Sequence, residues 1–337
     1  KGWGLTVEKV WSDKDFMESH DDIYFAIYYR DTSKPNELGE IANVSEAYTV
    51  TDENDETINV PAKSSLRQLK SGETELYYFF DDLKDAQDKS HEFSDYIVCE
   101  VTVVPNGDAE IRVDDDGYVL NPEDFTITPI VDTVADGVTT HGTIDVAGTP
   151  FGGQEQTNTY TVTYDVGTPT GHNNNIRTDT VTNSRPGIKL YKMLWDYSTP
   201  LAGTVFTLKD GEEKDVAAAA YTSGSDGLIT IAYLNPGTYT LDEIQTPKGY
   251  VALEQSIKIE VADDADHTIT VTGPEGYFQY EAASGTEMAT ITIRNRPVEL
   301  KVKKVAAESG EPIPNVHFAL YNQVKNNEEE LVRDYLP

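Results

Sequence analysis

The chain has 337 residues, 38% hydrophobic and 10% aromatic, enough for two or three folded domains and too apolar for a disordered polymer. With 59 acidic and 26 basic residues the net charge is −33, and such a polyanion repels nucleic acid and anionic membranes. The charge reads as the solubility of an extracellular rod, with scattered calcium sites as the sharper alternative; the single cysteine, Cys99, excludes an internal disulfide.

Thr, Val, Ile and Tyr dominate the alternating runs, and long helical periodicity is scarce, so the predicted class is all-β. In the opening run, Leu5, Val7 and Lys9 share one face of a strand, since period two sends alternate residues to the same side. Core strands are predicted at 22–29 and 75–83. Tyr96, Val98 and Glu100 then share parity, which carries Glu100 inward. In the turn-rich stretch that follows, Asp114-Asp-Asp-Gly117 lacks the spaced ligands of an EF-hand. The glycine-rich run 147–153 lacks the Lys-Ser/Thr of a phosphate loop. Closing strands are predicted at 159–166 and 176–183, with Asn158 and Asn183 as rival polar ends. Ile188, Leu190 and Lys192 repeat the opening pattern. Tyr239, Leu241 and Glu243 carry a second carboxylate into a core face, and Ile291, Ile293 and Asn295 carry in a carboxamide. A lone buried carboxylate is costly and is normally protonated or paired, so Glu243 needs a partner inside. Val298, Leu300, Val302 and Lys304 are expected to alternate inward once more.

Spacing orders these runs into repeats. Asn183 to Lys192 is nine residues, as is Asn295 to Lys304, and each Asn is followed by Arg-Pro and a fresh alternating strand. This favours Asn183 over Asn158 as the end of the first repeat. The predicted domains are 1–184, 185–297 and an incomplete third, 298–337. Lys304 to Ile313 and to Phe318 repeats the spacing of Lys192 to Leu201 and to Phe206, but Lys304 has no partner in the chain.

An inward Lys, Glu and Asn in one sandwich, together with Pro200-Leu-Ala-Gly203, Asp226-Gly227, Leu234-Asn-Pro-Gly237, Tyr239-x-Leu-x-Glu243 and Pro247-x-Gly-Tyr250, resembles the CnaB-type, immunoglobulin-like domains of Gram-positive pilins and collagen-adhesin-type surface proteins. Lys9-x-Trp-x-Asp13 is similar to the opening of collagen-adhesin stalk repeats. Against the family's Tyr-x-Leu-x-Glu-Thr-x-Ala-Pro-x-Gly-Tyr, this chain differs at Ile244 and Thr246, positions expected to carry no chemistry. The resemblance implies tandem β-sandwiches and self-made Lys–Asn isopeptide bonds. Lys192 would join Asn295 with Glu243 as the acid; Lys9 would join Asn183 with Glu100. Burial would favour a neutral, nucleophilic Lys and a neutral Glu that polarises the Asn carbonyl and shuttles protons. Relative to the compact domain type, 101–156 reads as an insertion.

The expected function is a structural segment of a pilin or adhesin stalk, extracellular and wall-anchored, with sortase-mediated covalent attachment through regions outside this chain. The alternative is a host-ligand-binding adhesin module, with a matrix or cell-surface ligand meeting the insertion. No cofactor is implied. The six histidines form no metal-binding spacing, no nucleophile turn occurs, and no run of about 18 apolar residues offers a membrane span. Cys99 has opposite parity to Glu100, which leaves it exposed or buried on a second face.

Overall fold

The computed structural model describes residues 2–335 apart from 32, 35, 36, 86, 87, 217–219, 265, 266, 286 and 324–328. It is all-β, and its helices among the described residues are short 3-10 turns such as Lys14–Phe16. The β-branched and aromatic runs form strands because their stiff side chains fit a pleated, half-buried surface.

The first part folds into two facing sheets. One has six strands, in the order Glu75–Phe80, Trp3–Trp11, Ile176–Ser184, Gln156–Asp165, Thr143–Pro150 and Met17–His20. The other runs Phe125–Pro129, Tyr96–Pro105, Ile23–Arg30, Leu38–Ile41, with Arg67–Leu69 also on Ile23–Arg30. Leu5, Val7, Tyr78, Phe25, Ile27, Tyr96, Val98, Tyr160 and Val181 fill the space between them. A second apolar layer, made by Ala26, Tyr28, Leu66, Cys99, Val101 and Val119, covers the outer face of the second sheet. The Ile23–Arg30 strand is therefore buried on both faces and reads as a near-continuous apolar run.

The stretch 101–156, expected as an insertion, contributes strands to both sheets. Thr143–Pro150 is an integral strand of the six-stranded sheet, and Val101, Val119 and Ile127 build the outer layer. Cys99 lies in that layer, and burial raises its thiol pKa to about 12, which leaves it unreactive near neutral pH.

A second pair of sheets follows. Leu228–Tyr233, Gly187–Met193, Ala289–Arg294 and Phe278–Glu281 form one. Tyr221–Thr222, Val205–Lys209, Gly237–Gln245, Ile257–Val261 and Ile269–Thr272 form the other. Ile188, Leu190, Phe206, Leu241, Ile259, Ile291 and Ile293 make its core. Gly227 adopts φ +80°, and a Cβ there would meet the Lys192 carbonyl oxygen at 2.5 Å, so the Asp-Gly turn lets the chain pass close over the Lys192 strand.

Between the two sandwiches the Arg-Pro junction is locked from inside. Arg185 is buried; its Nε donates to Asp13 Oδ2 (2.7 Å), and its Nη1 to Asn158 Oδ1 (3.0 Å) and the Tyr233 carbonyl (3.2 Å). Asp13 also accepts from Tyr160 (2.9 Å) and pairs with His20 (3.0 Å). Burial alone would raise the Asp13 pKa, but the His20, Arg185 and Tyr160 interactions outweigh it and hold the carboxyl below its ordinary value. The Asn235 side chain clasps the backbone of Thr157 and Thr159 from across the junction. Removing one partner of such a buried pair costs about 3–5 kcal/mol. Arg185→Ala should therefore lower the melting temperature and broaden the interdomain distance distribution in small-angle scattering; an unchanged distribution would show that the joint is held elsewhere.

The third repeat departs from expectation. Residues 298–304 form no strand, Val298, Leu300 and Val302 are 56–64% exposed, and Lys304 is exposed rather than inward. The described residues here supply only the Phe318–Gln323 and Glu329–Tyr335 ribbon, which gives that face no sheet to pack against. One local feature repeats: Ile313 N–H donates to the Lys304 carbonyl (3.1 Å), as Leu201 N–H does to that of Lys192 (3.0 Å).

Candidate functional site

In each sandwich the first and last strands are parallel neighbours. Trp3–Trp11 lies beside Ile176–Ser184 with Lys9 opposite Val181 and Trp11 opposite Asn183. Gly187–Met193 lies beside Ala289–Arg294 with Lys192 opposite Ile293. In both, the Asn sits two residues beyond the residue facing the Lys, on the same side of the sheet. The long lysine arm covers that diagonal offset. The carboxylate comes from the facing sheet, on Tyr96–Pro105 or Gly237–Gln245.

In the first site Lys9, Glu100 and Asn183 are all buried. Lys9 Nζ donates to Glu100 Oε2 (3.1 Å), and Asn183 Nδ2 donates to Glu100 Oε1 (2.9 Å). One carboxyl therefore bridges the amine and the amide. Lys9 Nζ also lies 4.4 Å from the centre of the Trp11 ring. Burial lowers the Lys9 pKa from 10.5 to about 8, with Glu100 opposing the fall. Tyr164 anchors the acid strand: its hydroxyl accepts from Glu100 N–H (3.1 Å) and donates to the Ile130 carbonyl (2.6 Å). Asn158, the rival of Asn183, is equally buried but belongs to the Arg185–Asp13 cluster.

In the second site Lys192 and Asn295 are fully buried, and Asn295 Nδ2 donates to Glu243 Oε1 (2.6 Å). Glu243 itself is partly exposed, not enclosed in the core as its parity predicts, because its strand ends two residues later at Gln245. Lys192 Nζ donates to the Met193 carbonyl (3.4 Å). Burial lowers its pKa from 10.5 to about 8, against the pull of Glu243. The turn after the acid strand holds the Asn segment: Tyr250 bridges Pro297, Val251 N–H donates to the Arg296 carbonyl and Val298 N–H to that of Gly249. The Pro247-Lys-Gly-Tyr250 element thus ties the turn after the Glu243 strand to the segment that follows Asn295.

Thr246, expected from the sequence to carry no chemistry, lies against the Glu243 carboxyl. Its hydroxyl donates to Glu243 Oε1 (2.5 Å), because the strand stops at Gln245 and the chain folds back there. In both sites the Asn carbonyl oxygen is buried without a hydrogen-bond partner among the described residues. The two amides are oriented in the same way, by the carboxyl and through Nδ2. Among the described residues no group of three His, Cys, Asp or Glu is placed to hold a metal, and no helix is long and apolar enough to cross a membrane.

A family model described as the SpaA prealbumin-like fold domain matches residues 186–275. That segment is similar to the SpaA prealbumin-like domain. It spans the Lys192 strand and the Glu243 strand and stops short of Asn295. Among solved structures, the C-terminal fragment of the pilus adhesin SpaC from Lactobacillus rhamnosus GG is 15% identical, with 90% of this chain and 100% of that one covered and a TM-score of 0.30. The shaft pilin SpaA from the same organism is 12% identical, with 90% and 100% covered and a TM-score of 0.27. A second SpaC structure is 14% identical over 88% of this chain and 44% of that one, with a TM-score of 0.28. No curated protein matches the chain. The strand ladders themselves define the all-β sandwich architecture.

Proposed function

We propose that the chain is a structural segment of a Gram-positive cell-surface pilin or adhesin stalk, in which the units 1–184 and 185–297 are each closed by a self-made Lys–Asn isopeptide bond and 298–337 opens a further unit. The observation that carries this reading is Glu100, buried and hydrogen-bonded at once to the Lys9 amine and the Asn183 amide nitrogen. The matching Lys-to-Asn strand offset in the second sandwich supports it.

The reaction balances within the three side chains. The neutral Lys9 amine attacks Cγ of Asn183, the Nζ–Cγ bond forms, and the Cγ–Nδ2 bond breaks. The attacking nitrogen sheds one proton and the leaving nitrogen gains one, departing as ammonia. Glu100 touches both nitrogens and carries that proton from its Oε2 side to its Oε1 side. The fold supplies proximity, since both reactants sit on adjacent strands. Lys192, Glu243 and Asn295 supply the same three groups, with Glu243 on the Asn295 amide and Lys192 Nζ on the Met193 carbonyl.

Export, wall anchoring and sortase-mediated attachment through other regions complete the reading, with no catalysis on any other molecule. Tension entering one end of a unit would pass through the bond between its first and last strands. Tandem mass spectrometry of tryptic peptides tests the assignment: branched peptides should join Lys9 to Asn183 and Lys192 to Asn295, and linear peptides carrying all four residues unmodified would contradict it. Because the attacking amine must be neutral, the rate of Lys9–Asn183 bond formation should rise with pH up to about 8 and then level off. A time course of ammonia loss at several pH values measures this; a flat profile would exclude the amine as the titrating group.

A host-ligand-binding adhesin module is a second reading, favoured by one observation. The hairpin Thr133–Ala135/Val138–Thr140 stands out from the sandwich, with Val134 71% and Val138 63% exposed. Deleting 133–140 should abolish solid-phase binding to matrix proteins if that hairpin is the contact, and leave it unchanged otherwise.

A further inference from the structure

The two sites hold their carboxyl groups in different ways. Glu100 is fully enclosed, with Oε1 on Asn183 and Oε2 on Lys9. Glu243 stands at a strand end, partly exposed, and its Oε1 takes both the Asn295 amide (2.6 Å) and the Thr246 hydroxyl (2.5 Å). Its Oε2 is buried and has no hydrogen-bond partner among the described residues. Lys192 Nζ donates to the Met193 carbonyl (3.4 Å) and, among the described residues, makes no ion pair with Glu243. A carboxyl at a strand end is free to rotate towards water, and each rotation would remove it from the amide. A second donor on Oε1 opposes that rotation.

We propose that Thr246 is a positioning residue that pins Glu243 Oε1 against the Asn295 amide. The inference rests on the isopeptide reading of the second sandwich and names a part that the first sandwich does without. Loss of the Thr246–Glu243 hydrogen bond should slow the step by roughly tenfold to a hundredfold.

The test uses the full chain made by cell-free synthesis, sampled over time, digested and analysed for the Lys192–Asn295 branched peptide. Thr246→Val keeps the shape and removes the hydroxyl; Thr246→Ser restores it. Thr246→Val should slow formation of the second bond at least tenfold, Thr246→Ser should restore the wild-type rate, and the Lys9–Asn183 bond should form at the same rate in all three chains. Once bonded, the Thr246→Val chain should melt as the wild type does, which a merely structural turn residue would not allow. Equal rates for Thr246→Val and wild type would overturn the proposal. If Thr246→Val fails to fold, a Thr246→Ala chain with a wild-type rate overturns it equally. A wild-type chain lacking the Lys192–Asn295 peptide would overturn the parent reading, and this inference with it.

Discussion

Replacing Glu100 by Gln should leave the first sandwich folded and its Lys9–Asn183 bond unmade. Gln keeps the size of the side chain and can still meet the Asn183 amide, but it cannot carry a proton between the two nitrogens that Glu100 touches. The purified variant should retain one more ammonia than the wild type, located entirely in the first unit. It should also lose stability. By analogy with a disulfide closing a loop of about 170 residues, the bond removes chain entropy worth about 5 kcal/mol, a model-dependent figure. For a unit of this size that corresponds to a fall in melting temperature of roughly 10–20 °C. A variant that still forms the branched peptide would remove Glu100 from the mechanism and leave proximity alone as the driving factor.

The second large effect separates the bond from the buried charge. Asn295→Ala and Lys192→Met both abolish the second cross-link and its loop-closure contribution, about 4–5 kcal/mol for a loop of roughly a hundred residues. They differ in what remains. Asn295→Ala leaves a buried amine whose pKa is lowered from 10.5 to about 8 by desolvation, whereas Lys192→Met leaves an apolar chain of similar volume. At pH 7 the amine must hold its proton in the core, at a cost on the order of 3 kcal/mol. Asn295→Ala should be the less stable variant by about that amount. The sign of the pH dependence follows from the depressed pKa. Between about 8 and 10.5 the unfolded chain binds the proton that the folded chain has released, so the stability of Asn295→Ala rises with pH across that window. Lys192→Met lacks the group, and the gap between the two should narrow. Urea titrations at pH 7 and pH 10 measure it; a constant gap would show that Lys192 is not held as a desolvated amine.

Strand parity makes much of this arrangement legible in the amino-acid sequence. Leu5, Val7 and Lys9 alternate inward as their spacing predicts, as do Ile188, Leu190 and Lys192, because each run is long enough for one face to be unambiguous. The nine-residue repeat points to Asn183, and the structure gathers Asn183 with Lys9 and Glu100 while placing Asn158 in another cluster. Parity fails at strand ends. Glu243 has the correct face but only partial cover, and Thr246 returns to it through a turn whose path no alternation rule describes. The Asp13–Arg185 contact joins residues 172 positions apart, and nothing local in either segment announces it. Cys99 belongs to a second apolar layer that the pattern only hints at, through Ile97, Cys99, Val101 and Val103 on the strand face opposite Glu100. The outward turn of Val298, Leu300 and Val302 shows the converse: a correct alternating pattern is buried only where a second sheet lies against it.

The most direct test of the stapled-sandwich account is the intact mass of the purified chain under denaturing conditions. The account predicts a mass short of the sequence value by two molecules of ammonia, one for each unit that carries a Lys, a Glu and an Asn together. A mass equal to the sequence value would contradict it, leaving Lys9–Glu100–Asn183 and Lys192–Glu243–Asn295 as buried polar clusters with no covalent role.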